Sequence, residues 1–289
     1  MDKNLYQRLF FGLLYGIVVI LCTHPIGSEL LQNIFPSIKQ YHLYIGLISF
    51  FILVGLKECT DVLEFENGWQ KFAVFPLGAF IVYRFGQRYF NHGFNFNFSL
   101  SEILGLSLIV IAVITLFKFK HELEYESGKL IFSVIYSALA FCYALGLPYF
   151  NDAENTFTLE PFFLFILIWS SDSFAYFCGR LFGKHKMAPT ISPKKTWEGL
   201  IGGVFLTLIL SYFVEQYHPG LRGNWMFVGF LISIFAPLGD LVESQLKRTF
   251  NVKDSGTILP GHGGILDRLD SFIICAPVLY LYFILEKLF

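Results

Sequence analysis

Between residues 244 and 271 the chain sets Ser244, Lys247, Arg248, Lys253, Asp254, a Pro260-Gly261-His262-Gly263-Gly264 turn, Asp267, Arg268 and Asp270 between two apolar segments. The stretch is too polar to be packing and too organised to be a spacer. Cations and backbone N–H groups hold anionic oxygens while carboxylates hold a divalent metal, so this mixture suits phosphate chemistry. Just upstream, Asp240, Glu243, Ser244 and Lys247 are spaced i, i+3, i+4, i+7 and share one helical face. On that face Asp240 lies deep and Lys247 shallow, an order that sets a metal below and a phosphate above. For Glu243 itself an ion pair with Lys247 at i+4 is expected. Asp267, Asp270 and Ser271 repeat the spacing at the mouth of the last helix, so two carboxylate-bearing helix ends joined by one loop could hold a cation between them. No second His or Cys stands at metal-ligand spacing from His262, which favours a phosphate or structural contact over a general base.

A second group precedes it. Asp172 sits near the end of an apolar run, WSSDSFAYFCGRLFGKHK, where an ionised side chain at mid-membrane costs about 2.5–3.5 kcal/mol on insertion scales and calls for a partner, a metal or water. Tyr176 and Gly179 fall on its face; the plainer reading is a helix–helix hydrogen bond or an interfacial cap. Gly179-Arg180 and Gly183-Lys184 do not form a P-loop, since only three residues separate the glycines and no Ser or Thr follows the lysine. In Ser192-Pro193-Lys194-Lys195-Thr196-Trp197-Glu198-Gly199 the proline fixes a turn and Ser192 or Thr196 caps a helix starting near Trp197, whose positive end favours an anion. Phosphate binding and a simple positive-inside bias both fit Lys194 and Lys195.

The elements that must carry these groups are membrane helices. Hydrophobic residues are 55% of the chain and charged ones 15%, against about 25% charged in an ordinary soluble domain. Apolar blocks at 6–22, 42–56, 72–85, 100–117, 130–150, 161–178, 200–214, 225–242 and 271–285 predict about nine transmembrane helices in an all-α polytopic protein. Sixteen of the 21 Lys and Arg then fall at the amino end and on alternate loops, and only Lys39, Arg84, Arg88, Arg222 and Lys287 on the other face. That bias predicts a cytoplasmic amino terminus, an external carboxyl terminus, and an active site on the cytoplasmic side, where loops 179–199 and 243–270 lie.

The first apolar run follows Lys3 and Arg8 but lacks a small-residue cleavage pattern, so a retained helix is expected rather than a signal peptide. Cys22, Cys59, Cys142, Cys178 and Cys275 are scattered without a CxxC pair, which fits packing better than disulfides or zinc. Residues 1–155 form an amino-terminal set of about five helices with solvated mixed-charge connectors at 57–71, including Glu58, and 118–129. Tract 91–99 reads as a strand-like or interfacial loop. Residues 156–289 form the chemically active region. A net charge of −1 says little about partners when charges are segregated by face, and no nucleic-acid partner is expected.

The residues also carry a resemblance. Ser244-x-Leu246-Lys247-Arg248, then Lys253-Asp254-x-Gly256, then Pro260-Gly261-His262-Gly263-Gly264-Ile265-x-Asp267-Arg268-Leu269-Asp270 resembles the signature of the CDP-diacylglycerol synthases, or phosphatidate cytidylyltransferases, with no departure along its length. Asp172-x-x-Ala175-Tyr176-x-x-Gly179-Arg180-x-Phe182-Gly183 and the Ser192-to-Gly199 stretch are similar to that family too. The specific match covers about the last 120 residues. What the resemblance implies is a Mg²⁺-dependent reaction of CTP with phosphatidic acid at the cell membrane, giving CDP-diacylglycerol and pyrophosphate. Asp240 and Asp267 would be the principal metal ligands, with Asp172 and Asp254 in the same cluster and a second cation left open. Lys194, Lys195, Lys247, Arg248, Lys253 and Arg268 would contact phosphates, with Ser192, His262, Gly263 and Gly264 adding donors; Lys253 and Asp254 are also candidates for a direct part in catalysis. A homodimer is left open.

Three other readings compete with this one. A transporter would need polar residues through the early helices, which have few; a CDP-alcohol phosphotransferase would need an Asp-Gly motif that the chain lacks. A CTP-dependent polyprenol kinase is the nearest enzyme alternative.

Overall fold

The computed structural model of the chain describes residues 3–90, 100–148, 150–151, 156–258 and 263–288. Tract 91–99 and His262 therefore lie outside the described residues. The helices are α1 (Lys3–Thr23), α2 (Ile26–Gln32), α3 (Gln40–Val62), α4 (Gly68–Phe90) and α5 (Leu100–Lys118). A continuous helical run follows as α6 (Glu126–Ser133), a π turn (Val134–Leu139), α7 (Ala140–Cys142) and a 3-10 turn (Tyr143–Gly146). Then come α8 (Glu160–Phe182), α9 (Trp197–Tyr217), α10 (Trp225–Thr249) and α11 (Leu266–Leu288).

Every apolar block expected from the sequence falls on one of these helices, although 130–150 overruns its helical run. The protein is an all-α polytopic membrane protein. Among the described residues seven helices are long and apolar enough to cross a membrane, or eight if α1 and α2, bent by 84°, make one span. The block at 72–85 belongs to α4, which carries Lys71 and Arg84 and is not among them.

Two small antiparallel pairs interrupt the helices: β1 (Phe150–Asn151) with β2 (Thr156–Phe157), and β3 (Lys186–Ala188) with β4 (Ser192–Thr196). The second corrects the expectation that Pro193 fixes a turn. Pro193 lies within β4, and in a two-stranded ribbon its missing N–H can be accommodated on the open edge.

Packing explains why α3 is central. Tyr44, Leu47, Ile48, Phe51, Ile52, Leu56 and Cys59 recur at spacings of three and four and are all buried, one continuous apolar stripe. Ring contacts run from Phe51 to Phe141 (6.3 Å), on to Phe272 (5.9 Å) and then to Phe165 (4.6 Å), so α3, α7, α11 and α8 share one core across the division at residue 155. Between α8 and α9 small residues let backbones approach: a Cβ on Gly203 would lie 3.0 Å from that of Ala175.

The connectors are less uniform than expected. Asp61 and Lys71 form an exposed ion pair at 2.7 Å, as a solvated connector should. Glu58, however, is only 3% exposed, and Lys129 only 7%. Lys129 donates to the Glu64 carbonyl and pairs with Glu126, both at 2.9 Å. Glu58 is engaged elsewhere, as described below. The cysteines are free and buried or half-buried.

Candidate functional site

A cavity of about 1050 Å³ opens where α1, α8, β4, α9, α10, α11 and the loop after α10 meet. Its polar wall starts on α8 with Asp172, and Tyr176 and Gly179 line it from the same helical face. The β3–β4 hairpin then folds back. Thr196 Oγ1 accepts the Gly199 N–H at 3.2 Å, capping α9. Of the two caps the sequence allowed, Thr196 is the one used. Glu198 accepts from the Lys184 and His185 N–H groups at 3.0 and 3.1 Å and meets His185 Nδ1 at 2.5 Å, which ties the hairpin base to the start of α9.

Held in this way, β4 projects Lys195 onto α10. Its ammonium donates to the Pro237 carbonyl at 2.8 Å and pairs with Asp240 Oδ2 at 2.7 Å, while Ser244 donates to Asp240 Oδ1 at 3.1 Å. Next to Asp240, Gly239 allows close approach of α11: a Cβ there would lie 2.8 Å from Ser271 Cα, and Ser271 Oγ donates to the Ala236 carbonyl at 3.0 Å. Asp240 and Asp270 are thereby carried on backbones in direct contact, and both line the cavity.

A second ion-paired group closes the far wall. Lys247 meets Glu243 at 2.7 Å, as its spacing led us to expect, and also Asp267 at 2.5 Å. The other Asp267 oxygen accepts from Ser255 N (2.9 Å), Ser255 Oγ (3.0 Å) and Gly264 N (2.8 Å). Gly263 beside it has φ +87°, which favours glycine. This carboxylate therefore organises the signature loop, and the Gly264 N–H that could have met an anion is turned onto Asp267.

Of the residues singled out in the sequence, Asp172, Ser192, Lys194, Lys195, Asp240, Lys247, Asp254, Asp267 and Arg268 come together around this one cavity. Arg248, Lys253, Gly263 and Gly264 do not line it. Two contributions were missed, an aromatic wall and a buried acid. Phe11 and Tyr15 on α1 and Trp169 on α8 form an aromatic wall, Tyr15 and Trp169 lying 5.9 Å apart edge to face. Glu58 on α3 accepts from the backbone of Ile265 and Leu266 at 3.0 and 2.9 Å. An acid inside an apolar helix was the available signal, hidden because Glu58 opens a mixed-charge tract.

Whether these residues suit a divalent cation can be judged from their chemistry. Five carboxylates (Asp172, Asp240, Asp254, Asp267, Asp270) and five cations (Arg180, Lys194, Lys195, Lys247, Arg268) line the cavity, so its formal charges cancel. Hard oxygen donors suit Mg²⁺, which keeps several waters and takes one or two carboxylates together with substrate phosphates. Among the described residues no three His, Cys, Asp or Glu are gathered into a ready-made cage. The site thus fits a metal that arrives with its ligand better than one locked in by the protein alone.

Fold and cavity together define a helical membrane protein with a polar site of mixed acids and bases lined on one side by aromatic residues. Residues 8–285 match the cytidylyltransferase family, and the chain belongs to it. It is 44% identical over 137 residues to proteins named phosphatidate cytidylyltransferase from Staphylococcus epidermidis and Staphylococcus aureus, covering 47% of this chain and 53% of each relative. To the Bacillus subtilis protein of that name it is 43% identical over 158 residues, 54% of this chain and 57% of the relative. The chain spans about half the length of the curated relatives it matches.

Proposed function

We propose that the protein transfers a cytidylyl group from CTP to phosphatidic acid, forming CDP-diacylglycerol and pyrophosphate. The observation that carries this reading is the convergence of the signature carboxylates and cations, from three separate helices, a hairpin and the loop after α10, on one cavity with an aromatic side. Family membership and the names of the relatives support the same reaction.

The chemistry is in-line displacement. A phosphatidate oxygen forms the new bond to the α-phosphorus of CTP, the bond from that phosphorus to the bridging oxygen breaks, and pyrophosphate leaves with the electron pair. Phosphatidate is already ionised near neutral pH, so neither a protein nucleophile nor an obligatory base is needed. Positioning and charge stabilisation supply the catalysis. Lys194, exposed on the cavity wall, and Arg268 receive phosphate oxygens. Lys195, half-buried between Pro237 and Asp240, exchanges its carboxylate partner for a phosphate as ligand enters. Phe11, Tyr15 and Trp169 provide the surface against which the glycerol backbone and upper acyl chains settle.

Two polyanions cannot enter a cavity of cancelled charge without added cations, and this supports Mg²⁺. Asp240 would hold it, with Asp172 and Asp270 on the same wall; Asp267, the other expected ligand, has both oxygens engaged with Lys247 and the loop. When bound, the ion polarises phosphate and offsets its charge.

The test supplies membranes containing the protein with CTP labelled at the α-phosphate and with phosphatidic acid. Label should enter lipid in a Mg²⁺-dependent manner; entry of γ-phosphate label instead would establish the kinase alternative. Sidedness follows from the need for CTP, which cannot cross the bilayer core. In a variant lacking the native cysteines, Cys at His185 or Thr257 should react with an impermeant thiol reagent only after cells are opened, and Cys at Gly220 in intact cells. Thr257 suits the reagent because it is exposed, whereas Ser255 two positions earlier is buried. The reverse pattern would invert the topology.

A further inference from the structure

We infer that Glu58, a buried acid on α3 in the amino-terminal half, is a positioning residue that clamps the start of α11 and the neighbouring Ser255–Gly256 segment beside the cavity; the catalytic part of this inference rests on the function proposed above. Glu58 Oε1 accepts the Ile265 N–H at 3.0 Å and Oε2 accepts the Leu266 N–H at 2.9 Å. Ser255 Oγ lies 3.5 Å from Oε2 and 3.0 Å from Asp267. These are orphan donors of a helix beginning at Leu266, whose positive end also favours a carboxylate. One residue of the first half thus satisfies the amino end of the helix that carries Asp267, Arg268 and Asp270.

The loop is shaped around this carboxylate. Gly256 and Gly264 are in contact distance of it: a Cβ on Gly256 would lie 2.7 Å from Glu58 Cδ, and one on Gly264 2.6 Å from Oε2. Two glycines of the signature therefore make room for an acid about 200 positions away in the chain. On the other side of Ser255, Asp267 holds the same loop from within α11. The two carboxylates grip one short segment from two different helices. Glu58 holds the Ile265 and Leu266 N–H groups and Asp267 those of Ser255 and Gly264, so loss of either should loosen the cavity wall without emptying it of ligands.

The experiment compares Glu58→Gln and Gly256→Ala with wild type and with Asp61→Asn, an exposed acid one turn further along α3. Amide exchange at residues 255–266 should quicken about tenfold in both test variants, while that of α9 stays unchanged. Turnover per folded molecule should fall about tenfold to a hundredfold with little change in KM, as when an outer-shell support is lost. In a Glu58→Ala background the further change Gly256→Ala should have little effect, because the carboxylate it displaces is gone. Wild-type exchange and turnover in both variants overturn the inference, and so do equal losses in Asp61→Asn. Lost turnover with unchanged loop exchange also overturns it, since Glu58 would then act directly. Should Glu58→Gln fail to accumulate, Gly256→Ala alone decides. If wild type incorporates no label, the proposed reaction falls, and exchange, which needs no substrate, still decides the role of Glu58.

Discussion

The two lysine–aspartate pairs of the cavity are made of the same groups in different surroundings. In the first, Lys195 and Asp240 are 20% and 35% exposed, join a hairpin to α10, and each has one further partner. In the second, Lys247 and Asp267 are 15% and 7% exposed, and the pair is locked by the almost wholly buried Glu243 and three donors from the loop. A pair that still faces solvent can trade its partner for a ligand at modest cost. A pair saturated from all sides holds structure, because each broken bond leaves a buried polar group unsatisfied. One cavity thus contains an exchangeable charge pair, the working one under the proposed reaction, and a saturated, framing one.

Asp240→Asn should break the working pair most severely. We expect turnover to fall about 10²–10³-fold, the size of loss seen when one electrostatic element is removed from an active site, with insertion and thermal stability close to wild type. Near-normal turnover at saturating Mg²⁺ would remove Asp240 from the reaction.

Asp267→Asn tests the framing role. Activity should drop about tenfold to a hundredfold, and stability in detergent by roughly 1–3 kcal/mol as Lys247 loses a charged partner and the loop a strong acceptor. Equal stability of the Asp240→Asn and Asp267→Asn proteins, measured by thermal unfolding, would erase the distinction drawn here.

A milder outcome is expected for Lys195→Ala, with kcat/KM for CTP or phosphatidate lowered about tenfold, the worth of a charged hydrogen bond. Unchanged kinetics would return this lysine to a purely topological role. The smallest effect belongs to Arg248→Ala. Arg248 is exposed and does not line the cavity, so activity should stay within about twofold of wild type; a tenfold loss would show that the last turn of α10 brings it into the site.

Legibility differed sharply along the chain. Asp240, Glu243, Ser244 and Lys247 could be arranged in advance because helical periodicity is local, and the Glu243–Lys247 pair formed as spaced. Lys195 could be suspected but not placed: its partner on α10 lies 45 positions away and is reached only because β4 is a strand tied back by Glu198. Phe11 and Tyr15 gave no polar signal, since an aromatic residue in a membrane helix reads the same whether it meets lipid or a cavity.

By itself the sequence determined the solvent this protein lives in, its helical blocks and which acids and bases lie close together along the chain. All of these depend on composition and on spacings of a few residues. Only the tertiary structure decided which carboxylate stays partly exposed in the cavity and which becomes a fastening, and that Glu58, expected in a solvated connector, accepts from the start of a helix more than 200 residues later. The reason is that an acid's role is set by the donors that surround it, and here those donors come from distant helices brought together by packing.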